Sequence, residues 1–275
     1  MTRTFRKTGS PSAIATEVHS LRWLAAASSN GGAAVAELVD HGDSWLTTHM
    51  LDAARPSPDD AREFGRRLAM THAAGAGWFG AVPPGLETGQ AVLAELPSPS
   101  LVNPLYSSWG AFFAELRLLP YLEMARDRGA LTEQETRRLS RLIDRVADGA
   151  FDAAQPAAVR EAHRRTSPAA VPVARLHGDL WSGNVVWAVG QGRVTGTLID
   201  PSAHGGHAET DLAELSLFGS PHLTETLRGY QEVSPLADGW TERAPLHQLH
   251  MLLVHVVLFG GGYVAQTMEA VEALA

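Results

Sequence analysis

The chain has 275 residues, enough for one large domain or two lobes around a cleft, and its 45% apolar and 19% charged residues are those of an ordinary globular protein. With no cysteine it has no disulfide framework, no thiolate zinc site and no thiol nucleophile, and a net charge of −8 argues against general nucleic-acid binding. The N-terminal M-T-R-T-F-R-K-T-G-S lacks the apolar run of a secretory signal. The longest strongly apolar stretch, 251–259, is interrupted by His255 and is too short on its own to cross a bilayer. A cytoplasmic protein without a membrane partner is therefore expected, and a monomer is the default.

In chain order, residues 4–7 (T-F-R-K) read as a short strand that ends in a lysine. From Ala13 the pattern turns helical, with Ile14, Val18, Leu21 and Leu24 on one stripe and Glu17 near its start. Residues 35–39 and 45–50 read as two strands joined by a turn at 40–44, after which His49, Met50 and Leu51 leave the sheet as a hinge. Ser57-Pro58-Asp59-Asp60 is a helix start, with a serine cap, proline at the first position and acids in the first turn. That helix turns Ala61, Phe64 and Leu68 inward and fades at Gly75. The following Gly75-Ala76-Gly77-Trp78-Phe79-Gly80 fits G-x-G-x-x-G by letter. It follows a helix rather than a strand, so it predicts a helix stop and a loop, not a phosphate cradle.

Residues 85–104 read as an irregular connection. A helix is expected over 107–128, with Trp109, Phe112, Phe113 and Leu116 on its apolar face, a kink at Pro120 and a stop at Gly129. Thr132 and Glu135 form a capping box for a helix with Leu139, Leu142, Ile143 and Val146 inward. Residues 152–172 read as a flexible Ala/Pro/Arg stretch. Strands at 185–189 and 194–199 flank Gly190-Gln191-Gly192, a hairpin signal. A helix opening at Thr210 or Asp211 stops at Gly219, Ser220-Pro221 caps another, and the remainder is helical.

The chemistry concentrates in R-L-H-G-D-L-W-S-G-N (175–184) and L-I-D-P (198–201). Asp179 is followed five residues later by Asn184, and Asp200 lies sixteen further on. In phosphoryl transfer one acid takes the proton of an acceptor hydroxyl, while an amide and a second acid hold magnesium against nucleotide phosphates. Protein kinases write the first part H-R-D-x-x-x-x-N; here it is H-G-D-L-W-S-G-N, and I-D-P stands where they have D-F-G. The intervening hairpin returns Asn184 and Asp200 to the same end of a sheet, as a shared metal requires. Lys7 and Glu17 then occupy the strand end and following helix where kinases place the ion pair that orients the phosphates. His49, Met50 and Leu51 fall where backbone groups pair with adenine. ATP and Mg2+ are thus the expected cofactors; an acidic chain can bind them because the metal and a few local cations supply the field. No Walker G-x-x-x-x-G-K-[ST] and no G-x-S-x-G is present.

His204, His207, Glu209 and Asp211 sit in a Gly-Gly loop without zinc-ligand spacing, which favours loop shaping and acceptor-side contacts. Of His247, His250 and His255, the last lies in an apolar run and reads either as a core histidine or as a residue of an acceptor cleft.

H-G-D-L-W-S-G-N followed by I-D-P-S-A-H-G-G-H-A-E-T-D-L-A closely resembles the fructosamine kinase (ketosamine 3-kinase) family, related to aminoglycoside and choline phosphotransferases. W-G-A-F-F-A-E-L-R-L-L-P-Y-L from Trp109, S-P-L-A-D-G-W and L-F-G-G-G extend the resemblance over nearly the whole chain. It implies an α+β, protein-kinase-like two-lobe fold: a small N-terminal β-sheet lobe over 1–51 and a large, mainly helical catalytic and acceptor-binding lobe over 52–275. It also implies ATP-dependent phosphorylation of a ketosamine (fructosamine or ribulosamine) at its 3-hydroxyl, a deglycation-type activity on a small molecule or glycated amine. Carried over by position, Asp179 becomes the base, Asn184 and Asp200 the magnesium ligands, and Lys7 with Glu17 the phosphate-side pair. Trp181 would wall the sugar site, His204 and His255 would stand on the acceptor side, and Asp211 would brace the catalytic region. Relatives carry two strands and a glycine-rich turn ahead of the lysine strand, whereas only four residues precede Phe5 here. Either the start of this sequence is shorter than the natural one, or the N-terminal lobe is naturally truncated; in the second case weaker ATP binding is expected for want of that loop's backbone donors. Two other activities fit the same motifs: another phosphotransferase of the aminoglycoside or choline type, or a nucleotide-binding protein with little turnover.

Overall fold

A computed structural model describes residues 3–166, 170–190 and 192–275; Met1, Thr2, Gln191 at the tip of the expected hairpin, and part of the 152–172 stretch lie outside them. The chain opens with β1 (Thr4–Thr8) and α1 (Pro11–Ser28), whose Ser10 side chain accepts from the Ala13 N–H at the cap. Next come β2 (Ala34–Val35), β3 (Leu38–Gly42) and β4 (Trp45–His49). β4 pairs antiparallel with both neighbours in the order β1-β4-β3, with Lys7 opposite Leu46. The expected first strand at 35–39 is in fact two pieces. Ala34 and Val35 run parallel to a strand of the larger part of the chain, and the β3–β4 turn tightens to Asp43 and Ser44.

α2 (Pro58–Ala73) starts as its capping box dictates, Ser57 and Asp60 satisfying each other's backbone N–H groups. After it, 75–80 forms the loop that its position behind a helix implied. The 85–104 connection contains a small hairpin, β5 (Val92–Leu93) with β6 (Leu96–Pro97). The single kinked helix expected over 107–128 is three segments: α3 (Trp109–Phe113), a π-helical turn (Ala114–Leu118) and α4 (Leu119–Asp127). Pro120 has no N–H for the Leu116 carbonyl, and the wide turn ahead of it removes the clash that its ring would cause. Arg117 Nη1 donates to that Leu116 carbonyl at 2.9 Å and to the Pro99 carbonyl at 2.7 Å.

α5 (Glu133–Ala147) carries its Thr132–Glu135 capping box and buries the expected Leu139, Leu142, Ile143 and Val146. The 152–172 stretch is not uniformly irregular: α6 (Ala157–Thr166) lies within it, fixed by Val159 in a small core with Ala174, Leu176 and Ala208. β7 (Ala174–Leu176), β8 (Val185–Gly190), β9 (Arg193–Leu198) and β10 (His204–Gly206) follow, with β8–β9 antiparallel, β2 parallel on β9, and β10 on β7. α7 (Glu209–Leu217), α8 (Leu223–Val233), α9 (Trp240–Phe259), a 3-10 turn (Gly260–Tyr263) and α10 (Val264–Ala273) complete the fold. The 240–273 run is long and apolar enough by composition to cross a membrane, which the shorter 251–259 stretch did not suggest. In the fold, α9 is the spine of the core: Leu246, Leu249, Leu252, Leu253 and Val256 are buried against α3, α4 and α5. Each such side chain contributes roughly 1.5–3 kcal/mol on burial. A second core packs α2, α7 and α8 against Trp187, Val185 and Leu198 of the β8–β9 hairpin. The catalytic stretch is suspended between these two cores.

Candidate active site

β7 delivers the chain into His177-Gly178-Asp179, and buried side chains fix this turn through its backbone. Asp211, in the first turn of α7 and fully buried, accepts from the His177 N–H at 2.7 Å and the Gly178 N–H at 3.1 Å. His72 Nε2 of α2 donates to the same carboxylate at 3.1 Å, and its Nδ1 lies 2.9 Å from the Tyr230 hydroxyl of α8. Burial works against the Asp211 charge, but the bonds from His72 and His177 outweigh it and hold the carboxyl below its ordinary value. Gly178 has φ +79°, and a Cβ there would stand 2.1 Å from the Ser202 carbonyl oxygen, so only glycine fits. His177 ties the turn to the end of β9: Nε2 donates to the Ile199 carbonyl at 2.9 Å, and Nδ1 accepts from the Asp179 N–H at 3.3 Å. Leu180 N–H donates to the buried Glu214 at 3.0 Å.

Asp179 therefore projects from a turn with little freedom. Burial pushes its carboxyl up to about 7, with the Asn184 bond opposing and Asp200 adding to the rise. Asn184 Nδ2 donates both to the Asp179 carbonyl at 2.8 Å and to Asp179 Oδ2 at 3.0 Å, which turns the Asn184 Oδ1 away from that carboxylate. The Ile199 N–H donates to the Asn184 carbonyl at 3.0 Å, and Val185 lies opposite Leu198. The hairpin thus brings Asn184 and Asp200 to the same end of the β8–β9 pair. Asp200 has φ +51°, a left-handed conformation that aspartate tolerates better than most residues. Lys7 Nζ bridges Glu17 at 2.7 Å and Asp200 at 3.1 Å, joining β1, α1 and the end of β9 in one contact. Burial alone would lower the Lys7 pKa, but the two carboxylates outweigh it and raise it. Burial pushes Glu17 up to about 7 against the pull of Lys7.

Asn184 Oδ1 and the Asp200 carboxylate are hard oxygens on adjacent strand ends. They suit a Mg2+ ion, which takes one or two protein oxygens and completes its shell with phosphates and water. On the hinge, His49 N–H donates to the Glu37 carbonyl and Met50 N–H to the Arg3 carbonyl, so two of the three hinge N–H groups are taken up by the sheet. Trp181 stands 39% exposed at the mouth, its indole folded over Gly183 so closely that a Cβ there would lie 2.1 Å from the ring. His255 is half-buried beside it, in contact with Phe218, which packs edge-on to Trp181. His204 is not among them. Pairing of β10 with β7 turns it inward, 6% exposed behind Gly178, where it accepts from Arg117 Nε at 3.4 Å; burial and Arg117 hold it down to about 3. The acceptor-side role expected of His204 does not fit this interior position.

His207, Glu209 and His247 converge in the interior, but Arg243 occupies both Glu209 oxygens at 2.9 and 2.7 Å, making an ion-pair network rather than a metal centre. Sequence reasoning missed His72, Tyr230 and the anchoring role of His177. His72 and Tyr230 stand alone on helix faces, and only their convergence on Asp211 marks them.

Comparison with known proteins agrees with this geometry. Residues 4–275 match the sequence model of the family described as fructosamine kinase. A Synechocystis protein named as a ketoamine kinase, slr1563, is 32% identical over 232 residues, 84% of this chain and 68% of that protein. A Thermobifida fusca crystal structure named as a fructosamine-3-kinase superposes with a TM-score of 0.81 at 37% identity, over 99% of this chain and 85% of that one. The gentamicin complex of APH(2")-IIa shares the fold alone, with a TM-score of 0.56 at 11% identity over 98% and 84% of the two chains. The fold is that of the protein-kinase-like phosphotransferases, and the chain belongs to the fructosamine kinase family.

Proposed function

We propose that this protein is an ATP-dependent kinase that phosphorylates the 3-hydroxyl of a ketosamine such as a fructosamine or ribulosamine, a deglycation-type reaction in the cytoplasm. The observation that carries the proposal is the single cluster in which Lys7 bridges Glu17 and Asp200 while Asn184 reaches Asp179. Asp179 orients the acceptor hydroxyl and takes its proton. A carboxyl raised to about 7 is a stronger base than an ordinary aspartate and is still largely ionised just above neutrality. Lys7, steadied by Glu17, contacts the nucleotide phosphates, and the hinge at 49–51 borders the adenine at the junction of lobes 1–51 and 52–275. Asn184 and Asp200 would hold Mg2+, which when bound offsets charge on the phosphoryl group. Positioning and charge stabilisation supply most of the rate, with no covalent enzyme intermediate. Trp181 and His255 face the acceptor.

The test is ATP consumption with synthetic fructosamines and ribulosamines, with the product located by phosphorus and carbon NMR. Phosphate on the ketosamine 3-hydroxyl is the expected result. Transfer only to an aminoglycoside or a choline-like alcohol, or ATP binding without transfer to any acceptor, would overturn the proposal.

A further inference from the structure

Beside the catalytic loop the protein exposes rings that a folded chain would ordinarily cover. Trp181, two residues past the base, is 39% exposed; Phe218 at the end of α7 is 38% exposed, and Phe259 at the end of α9 is 65% exposed. They form one surface. Trp181 and Phe218 meet edge-on at 6.2 Å, and Phe218 lies 5.1 Å from His255 and 6.4 Å from Tyr263. His255 lies 5.5 Å from Phe259 and 4.7 Å from Tyr263. The stretches that build this face, 181–183, 215–221 and 256–267, contain no Lys, Arg, Asp or Glu. His255 donates its Nδ1–H to the Met251 carbonyl at 2.8 Å, which leaves Nε2 of the neutral ring as an acceptor. A contiguous aromatic patch is a binding surface by the logic of apolar exposure, and its rings offer π faces to a cation and area to a hydrocarbon; Arg128 donates to the Val257 carbonyl within one of these stretches.

Resting on the ketosamine reading, we propose that this face is the subsite for the amine-side substituent of the acceptor, and that it selects ketosamines whose amine bears an apolar or aromatic group. In a ketosamine the 3-hydroxyl and the nitrogen are separated by four bonds, about 5 Å. A substrate with its hydroxyl on Asp179 thus carries its amine substituent away from the base over a short reach, and Trp181 is the exposed ring nearest to the base in sequence. The protonated amine meets ring faces and the His255 Nε2 acceptor. The carbon substituent beyond it covers Phe218 and Phe259.

Paired acceptors separate this subsite from the reaction itself: the fructosamines of benzylamine and methylamine. The expected kcat/KM for the benzyl compound exceeds that of the methyl compound by about tenfold, since covering one aromatic side chain contributes about that much. Phe259→Ala and Phe218→Ala each lower the benzyl-to-methyl ratio about fivefold, whereas Leu105→Ala, an exposed apolar residue of another region, keeps it. A wild-type ratio near one, or a ratio unchanged in both phenylalanine variants, overturns the proposal. If no ketosamine is phosphorylated, the reading of the reaction fails, and the subsite is decided without turnover. Saturation-transfer NMR on the benzyl protons, with no ATP present, then shows strong transfer in the wild type and little in Phe259→Ala; equal transfer in both contradicts the subsite.

Discussion

Around the Asp179 turn the fixing contacts are interior: Asp211, His72 and Tyr230 are buried, and Asp211 holds two backbone N–H groups of the turn. Around Lys7, the contact that joins the small sheet to the end of β9 runs through Lys7 and Asp200, whose side chains are 36% and 43% exposed. The first arrangement is dry and insensitive to salt; the second is a solvent-facing ion pair of modest strength. The difference separates two tasks. In the proposed reaction the base must be held to a fraction of an ångström, whereas the phosphate-side pair must be able to exchange one anionic partner for another when a nucleotide arrives.

This contrast is open to attack from both sides. Asp211→Ala leaves His72 and two backbone donors buried without an acceptor. The expected cost is about 3–5 kcal/mol of unfolding free energy together with at least ~100-fold in kcat. Urea unfolding and steady-state kinetics on the folded fraction measure both; a loss of activity with unchanged stability would mean that Asp211 acts directly rather than by bracing.

Asp179 makes the opposite stability test. Its carboxyl, ordinarily near 3.8, stands at about 7 in the fold because burial disfavours its charge. The fold therefore bears the cost of ionising it as pH rises from 4 through 7, and bears it fully above 7. In metal-free buffer Asp179→Asn is expected to be more stable than wild type at pH 8, by at most about 4 kcal/mol, with the difference gone by pH 4. Thermal melts across that range check the sign, and an advantage that grows toward acid would refute the burial argument.

On the exposed side, Lys7→Met is expected to lower kcat/KM for ATP about 100-fold while changing unfolding free energy by no more than about 1 kcal/mol. The cost stays small because Glu17, already pushed up to about 7 by burial, can take a proton when its partner is gone. The smallest effect belongs to the outer end of the buried relay. Tyr230→Phe removes the hydroxyl on His72 and should cost about 1 kcal/mol and only a few-fold in kcat.

Much of this was legible in the sequence because the chemistry is written at short range. The Asp179–Asn184 interval fixes a turn and its amide bond, and the hairpin follows from the Gly190-Gln191-Gly192 signal between two apolar stretches, so the ends of its strands could be paired before any coordinates. Capping signals likewise gave the starts of α2 and α5. What stayed hidden depends on long-range packing. The π turn before Pro120 needs the Arg117 guanidinium to satisfy the Leu116 carbonyl. α6 is held by Val159 meeting strands far along the chain, and His204 turns inward only because β10 pairs with β7. The His72–Asp211 contact joins residues 139 apart, a distance over which local patterning carries no information.

The central claim is that Asp179, held by the buried brace, is the base of a phosphoryl transfer to a sugar hydroxyl. Asp179→Asn keeps the Asn184 contact and the shape of the turn, so it removes the proton acceptor and little else. Single-turnover transfer from ATP to a fructosamine is expected to fall about 1,000-fold in this variant, with ATP affinity within twofold of wild type. Transfer within tenfold of wild type would contradict the account.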